Sequence, residues 1–226
     1  MRKQLLAIGL SIVSLFAFYG CSTKVTLTSS GSSGIADSTS ATTSGYSLPE
    51  VGVEYKDLSF FTLEQAAIYE AADLFTYDYN FGGDFGIEDS QNPENQYAAP
   101  NGHLYYKATQ KYATYNDFYA FVTSIFTEDY FNSTINEYDS FINKDNILYV
   151  EGGERGGSIA FIEIQGYVIT NSTSDELSFD LIALNGDYSF TESGEEVLES
   201  TYTENIPITF KRANGEWRID EFDLPY

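Results

Sequence analysis

The chain has 226 residues, with 34 Asp and Glu against 11 Lys and Arg, a formal net charge of −23. That balance excludes a nucleic-acid binder, because phosphate contacts need clustered cations. Hydrophobic content of 42% and aromatic content of 16% exclude general disorder. A single Cys rules out an internal disulfide, and with a single His it argues against Cys-rich or multi-His metal sites and His-based catalysis.

Residues 1–20 read as a secretory signal. Arg2 and Lys3 give a positive start, and Leu5 to Phe18 is an uncharged apolar run. Such a run is too short to span a bilayer, which needs about 20 residues. Phe18-Tyr19-Gly20-Cys21-Ser22 resembles a bacterial lipoprotein cleavage box. The expectation is a mature chain beginning at a lipidated Cys21, held on the extracytoplasmic face of the cell membrane by acyl chains alone. Residues 21–47 are Ser-, Thr- and Gly-rich with almost no charge, which predicts a flexible tether.

Residues 48–226 are expected to form one acidic domain, with 33 acidic and 8 basic residues. Thr62-Leu63-Glu64-Gln65 reads as a capping box opening a helix. Leu63, Ala67, Glu70, Leu74, Tyr77 and Phe81 then recur at helical spacing, with Ile68, Ala72, Phe75 and Tyr79 as a neighbouring stripe. Gly82-Gly83 ends it. Thr114-Tyr115-Asn116-Asp117 opens a second helix, and Thr127 caps a short third one running to about Ile135.

Strands follow. His103 to Thr109 is an early candidate. Ile147–Glu151 and Ser158–Thr170 flank Gly152 to Gly157, which reads as a glycine-rich hairpin loop. Leu177–Leu184 is next, with Asn185-Gly186 as its turn, and a last hairpin closes around Asn214-Gly215, a type I′ signal. Helices first and strands afterwards predict an α+β fold, with N-terminal helices packed on one curved antiparallel sheet.

Several features are weighed for chemistry. His103, the lone imidazole, stands beside Asn101-Gly102 and reads as a strand-start residue. Glu163 interrupts the apolar run Ile159 to Ile164, and period two puts it on one face with Phe161, Gln165 and Tyr167. Glu163, Gln165 and Tyr167 are therefore the candidate pocket residues. Asp84, Glu88, Asp89, Asn92, Glu94 and Asn95 crowd one loop without EF-hand spacing, and read as a solvated acidic loop. Arg155, one of eight domain cations, is either an ion-pair partner or a contact residue on a hairpin tip. No metal, cofactor or catalytic residue is assigned.

A family resemblance emerges from several segments together. These are Thr62 to Ala67 leading to Asn80-Phe81-Gly82-Gly83, Ile125 to Phe131, Leu148-Tyr149-Val150 running into Gly153-Glu154-Arg155-Gly156, and Asn214 to Ile219 with a terminal Pro225-Tyr226. In that order they resemble the IseA-type DL-endopeptidase inhibitors of Gram-positive bacteria, and more loosely the NTF2-like cone folds of envelope lipoproteins. The resemblance implies a cone-like fold and a role in binding, not catalysis. The implied partner is a peptidoglycan hydrolase of the NlpC/P60 class, and the chain's own negative charge adds the expectation that this envelope protein is cationic. The alternative is a lipid-anchored small-ligand or solute-binding module with an NTF2-like pocket around Glu163 and Tyr167.

Overall fold

The computed structural model describes residues 47–100, 102–153 and 156–225. The signal, Cys21 and nearly all of the tether lie outside the described residues, as do Glu154 and Arg155. The architecture is α+β with two antiparallel sheets and three helices. The elements are β1 (Glu54–Tyr55), α1 (Leu63–Phe81), β2 (Gln96–Ala98), β3 (Leu104–Lys107), α2 (Tyr115–Ile125), α3 (Glu128–Tyr130), β4 (Phe141–Lys144), β5 (Ile147–Glu151), β6 (Phe161–Ser172), β7 (Glu176–Phe190), β8 (Glu196–Ala213) and β9 (Glu216–Glu221). A short 3₁₀ turn spans Pro93–Asn95, and a π turn, Phe131–Ile135, continues α3.

Local chemistry sets the helix ends. The Thr62 side chain accepts from the Gln65 N–H, and Gln65 Oε1 accepts from the Thr62 N–H at 3.0 Å, closing a capping box. Gly82 at φ 66° takes the left-handed C-cap that only glycine adopts without strain. Thr114 and Asp117 make the same reciprocal pair for α2, and Thr127 caps α3. Each such cap stabilises its helix by about 1 kcal/mol.

The strands form two sheets, not the single one expected. Five strands run in the order β1-β6-β7-β8-β9 and four in the order β2-β3-β5-β4. The second sheet was hidden because β4 is short and its partner β5 is reached through Asp145-Asn146. Those two residues sit at φ 55° and 61°, the pair of positive φ values of a type I′ turn. Consequently Gly152 to Gly157 does not close a hairpin. It links β5 in one sheet to β6 in the other.

Asn185-Gly186 is not a turn either. β7 runs through both residues to Phe190, and β8 answers it along its whole length. Buried Asn185 donates through Nδ2 to Glu204 on β8 at 3.0 Å. Gly186 donates its N–H to the Ala160 carbonyl at 2.7 Å. A side chain at Gly186 would meet Leu198 Cδ1 at 2.6 Å, so glycine serves close packing there. The real turn is Thr191 to Glu195, closed by the Thr191 N–H on the Glu195 carbonyl at 2.9 Å. Asn214-Gly215 does turn, at φ 54° and 87°.

The helices cover the inner face of the five-stranded sheet. Leu177, Phe179, Leu181 and Ala183 of β7, Ile206, Ile208 and Phe210 of β8, and Trp217 and Ile219 of β9 alternate inward, with half-buried or exposed neighbours between them. Aromatic rings fill the space. Phe60 lies 5.2 Å from Phe179, Phe61 lies 5.3 Å from Phe210, and Phe75 lies 5.6 Å from Phe126. On α1 the buried stripe is Gln65, Ala72 and Phe75, with Ile68 and Tyr79 beside it. The stripe of Leu63, Leu74 and Tyr77 faces solvent.

Burial also raises tyrosine ionisation. Tyr130 is pushed up to about 12, first by burial and then by the Asp223 and Glu221 carboxylates. Tyr112, Tyr115 and Tyr167 are raised too, burial again leading. A folded-state value above the unfolded one, about 10, gives stability that is complete below pH 10 and is lost as pH rises towards 12. The denaturation midpoint in urea should therefore fall steeply across that window, and part of the tyrosinate absorbance should appear only with unfolding. Full tyrosinate absorbance at unchanged stability would contradict the packing described.

Candidate functional site

The three pocket candidates do not converge. β6 carries irregularities between Phe161 and Glu163, Ile164 and Gly166, and Ile169 and Asn171. Each adds a residue, so the period-two relation fails across it. Tyr167 pairs with buried Leu181 and is itself buried on the inner face. Glu163 pairs with Leu184, on the outward parity of β7, and is exposed. Gln165 is the extra residue of the second irregularity and is exposed; its carbonyl accepts from Lys56 Nζ at 3.4 Å. Tyr167 packs against Phe60 at 6.0 Å and Phe179 at 5.9 Å, with Tyr69 as a hydrogen-bond partner. It is a core residue, and Glu163 is a surface one.

Glu163, Gln165 and Tyr167 line none of the five best-formed surface grooves among the described residues. One groove, of about 410 Å³, lies at one end of the four-stranded sheet. His103 and Glu151 meet there through Nδ1 and Oε1, beside Ser90, Tyr106 and Gly152-Gly153. A side chain at Gly152 would sit 2.3 Å from the Tyr106 ring, so the wall needs glycine. An imidazole–carboxylate pair can orient a polar ligand or move a proton. Here it also ties the start of β3 to the end of β5, in keeping with His103 as a strand-start residue.

The acidic loop spends its side chains on its own backbone. Asp84 Oδ1 accepts from the Gly86 N–H at 2.8 Å, Asp89 Oδ1 from the Gln91 N–H at 3.0 Å, and Asn92 Oδ1 from the Glu94 N–H at 3.0 Å. Glu88 accepts from the Thr109 hydroxyl and the Gln110 amide, which hold its carboxyl below the usual range. Among the described residues, no group of three or more His, Cys, Asp or Glu is arranged to hold a metal ion.

The cations are largely committed within the fold. Lys56 meets Glu54, Lys111 reaches Asp78 at 3.5 Å, Lys211 meets Asp220 at 2.5 Å, and Arg218 meets Glu216 at 2.6 Å. Burial raises the Asp220 carboxyl, but hydrogen bonds from Lys211 and from Thr127 (2.7 Å) outweigh it and leave the group below its ordinary value. Lys144 lies over the Tyr97 ring at 4.1 Å, and Arg212 over Trp217 at 4.7 Å. With 33 acids in residues 48–226, the free charge at the surface is therefore carboxylate.

Two exposed apolar surfaces accompany that charge. One is the outward stripe of α1, where Leu74, Tyr77 and Phe81 line a groove of about 540 Å³ with Glu70 and Asp73. The other is the far end of the β7–β8 ribbon. Phe190 is 67% exposed there, with Val197, Leu198 and Tyr202 also open to solvent. The sequence reading passed over the ribbon because Asn185-Gly186 mimics a turn. The missed signal was compositional: from Gly156 to Phe210 there is no Lys or Arg, and ten Asp or Glu.

No protein-family model matches the chain, and none of the curated proteins compared with it matches.

The geometry separates two residues first grouped as one site. Tyr167→Ala should cost about 3 kcal/mol or more, as large-to-small changes in cores do. Glu163→Gln should shift stability by less than about 0.5 kcal/mol, as exposed positions do. Chemical denaturation of both variants checks this; equal effects would contradict the opposite-face register.

Proposed function

We propose that this chain is a lipid-anchored extracytoplasmic protein that acts by binding, restraining a cationic cell-wall hydrolase of the NlpC/P60 class. Its fold is then of the cone-like kind shared by IseA-type inhibitors and NTF2-like envelope proteins. The observation that carries the reading is the filled interior. Rings occupy the space between helices and sheet, so recognition falls to the outer surface, where carboxylates surround exposed apolar side chains. A field of one sign speeds encounter with an oppositely charged partner and makes binding salt-sensitive. Exposed apolar anchors amid polar surroundings supply the contact itself.

The second reading, a small-ligand module, needs a pocket around Glu163 and Tyr167. The two residues lie on opposite faces of β6, and Tyr167 is held among core rings.

The test of inhibition is direct. Purified protein should slow an NlpC/P60-class hydrolase on wall fragments in a dose-dependent way. The effect should weaken from 0.1 M to 1 M salt as the screening length drops from about 10 Å to about 3 Å. Glu163→Gln should inhibit as the unaltered protein does. Failure to inhibit any such enzyme at low salt, or wall turnover by the protein alone, would overturn the reading.

The anchor is tested separately. Cys21→Ala should leave the membrane fraction or accumulate unprocessed, read by fractionation and gel mobility. Behaviour identical to the unaltered protein would remove the lipid anchor from the proposal.

A further inference from the structure

The β7–β8 ribbon projects past its neighbours. β6 pairs with β7 only as far as Asn185, and β9 pairs with β8 only from Thr209 onward. Among the described residues, β8 from Glu196 to Asn205 therefore pairs with β7 alone. All ten of these residues are exposed, so neither face of the strand is covered and one edge is open. At roughly 3.4 Å per residue that edge runs for about 34 Å. Pro207, which has no N–H to offer, bounds it on the body side.

A long open edge is ordinarily a liability, since its free N–H and C=O groups template pairing with another chain. A bare two-stranded ribbon is also marginal in water. This one is braced by its own side chains. Ser189 donates to Glu199 at 2.5 Å and Ser200 to Asp187 at 2.7 Å, each across the strand pair. On one face Tyr188 and Leu198 are directly opposed and fold over Gly186, and Phe190 stands at the tip. The edge is thus presented, not folded away, with one irregularity where Glu199 stands as the extra residue between Leu198 and Ser200.

We infer that the open edge of β8, Glu196 to Asn205, is a strand-addition site for an extended, lysine- or arginine-bearing segment of a partner protein. Main-chain hydrogen bonds supply affinity in such pairings, and alternate side chains supply selection. The ribbon carries Asp187, Glu192, Glu195, Glu196, Glu199 and Glu204 and no cation, so an added strand is selected for positive charge. Val197, Leu198 and Tyr202 offer apolar contacts beside those carboxylates. A second copy of this chain is a poor occupant, because edge-to-edge pairing would set these carboxylates against each other. The partner class rests on the binding role proposed above; the edge itself does not.

The experiment has two arms. In the first, the full chain is mixed with a ten-residue peptide of alternating Val and Lys, and amide hydrogen exchange is followed. Exchange at the amides of Glu196 to Asn205 that point away from β7 should slow roughly ten-fold or more. The same peptide N-methylated on alternate residues should leave it unchanged. No slowing, or equal slowing by the methylated peptide, overturns the edge. A Glu196→Lys, Glu199→Lys variant should lose the protection; retained protection overturns the selection for cations. In the second arm, the ribbon is shortened by joining Gly186 to Thr201 through Asn-Gly, outside the packed core. The shortened protein should melt as the parent does and should no longer inhibit the hydrolase. Equal inhibition by both overturns the ribbon as the contact while leaving the inhibitor reading intact. Edge protection by the peptide without inhibition by the intact chain removes the inhibitor reading and keeps the edge.

Discussion

Phe141 holds the two sheets and the helices to one another. It sits at the start of β4, in the four-stranded sheet, with its ring 4.8 Å from Phe118 of α2, 5.3 Å from Phe85 and 6.1 Å from Phe75 of α1. Phe75 passes the contact to Phe126, and Phe126 to Phe222 beyond β9 at 6.2 Å. A relay of rings thus joins strands that share no main-chain hydrogen bond. Aromatic pairs contribute about 0.5–1.5 kcal/mol each beyond the area they bury. Their volume also explains why the interior holds no room for a ligand at Tyr167. The asparagine beside this hub is fitted to it: Asn136 Oδ1 accepts from the Phe141 N–H at 2.8 Å, and its Nδ2 donates to the Phe141 carbonyl at 3.2 Å.

With the interior apolar, the acid has to sit outside, and most of the few cations, themselves largely exposed, are tied to carboxylates and rings of the fold. Arg218 shows the pattern. Its Nε donates to the Thr123 carbonyl at 2.7 Å, and its other nitrogens serve Trp217 and Glu216. Each cation used this way leaves the surrounding carboxylates less compensated. Packing and field are therefore linked: the more firmly the basic residues knit helix to sheet, the more one-sided the surface becomes.

Helix ends were legible in the sequence because capping is local. Thr62 and Gln65, or Thr114 and Asp117, carry their instruction within four residues, and the structure obeys both. Asn214-Gly215 was legible for the same reason. Asn185-Gly186 was not, because its fate depends on Leu198, Glu204 and Ala160, which lie 12 to 26 residues away in the chain. The face of Glu163 was misjudged through the same non-locality: an irregular residue at 165 is set by how β6 meets β7, not by the alternation of β6 itself. β1 is two residues long and β4 four, below the length at which alternation can be distinguished from chance. What remained illegible was tertiary arrangement: which sheet a strand joins and which strand outruns its neighbours.

The chain has one tryptophan among 19 tyrosines and 17 phenylalanines, and its position has an optical consequence. Trp217 lies buried under the Arg212 guanidinium, with its backbone N–H on Glu64 Oε1 at 3.2 Å. Its indole therefore reports on a single junction, where the closing hairpin meets the first turn of α1. Excited tyrosines in the core will pass energy to it while that junction is packed. Emission should redden, and the transfer fade, when hairpin and helix separate. Residues 187–200 stand beyond the reach of that junction's packing. Their ordering or loosening would leave the indole spectrum unchanged, so the native protein distinguishes events in its body from events on its arm without an added label.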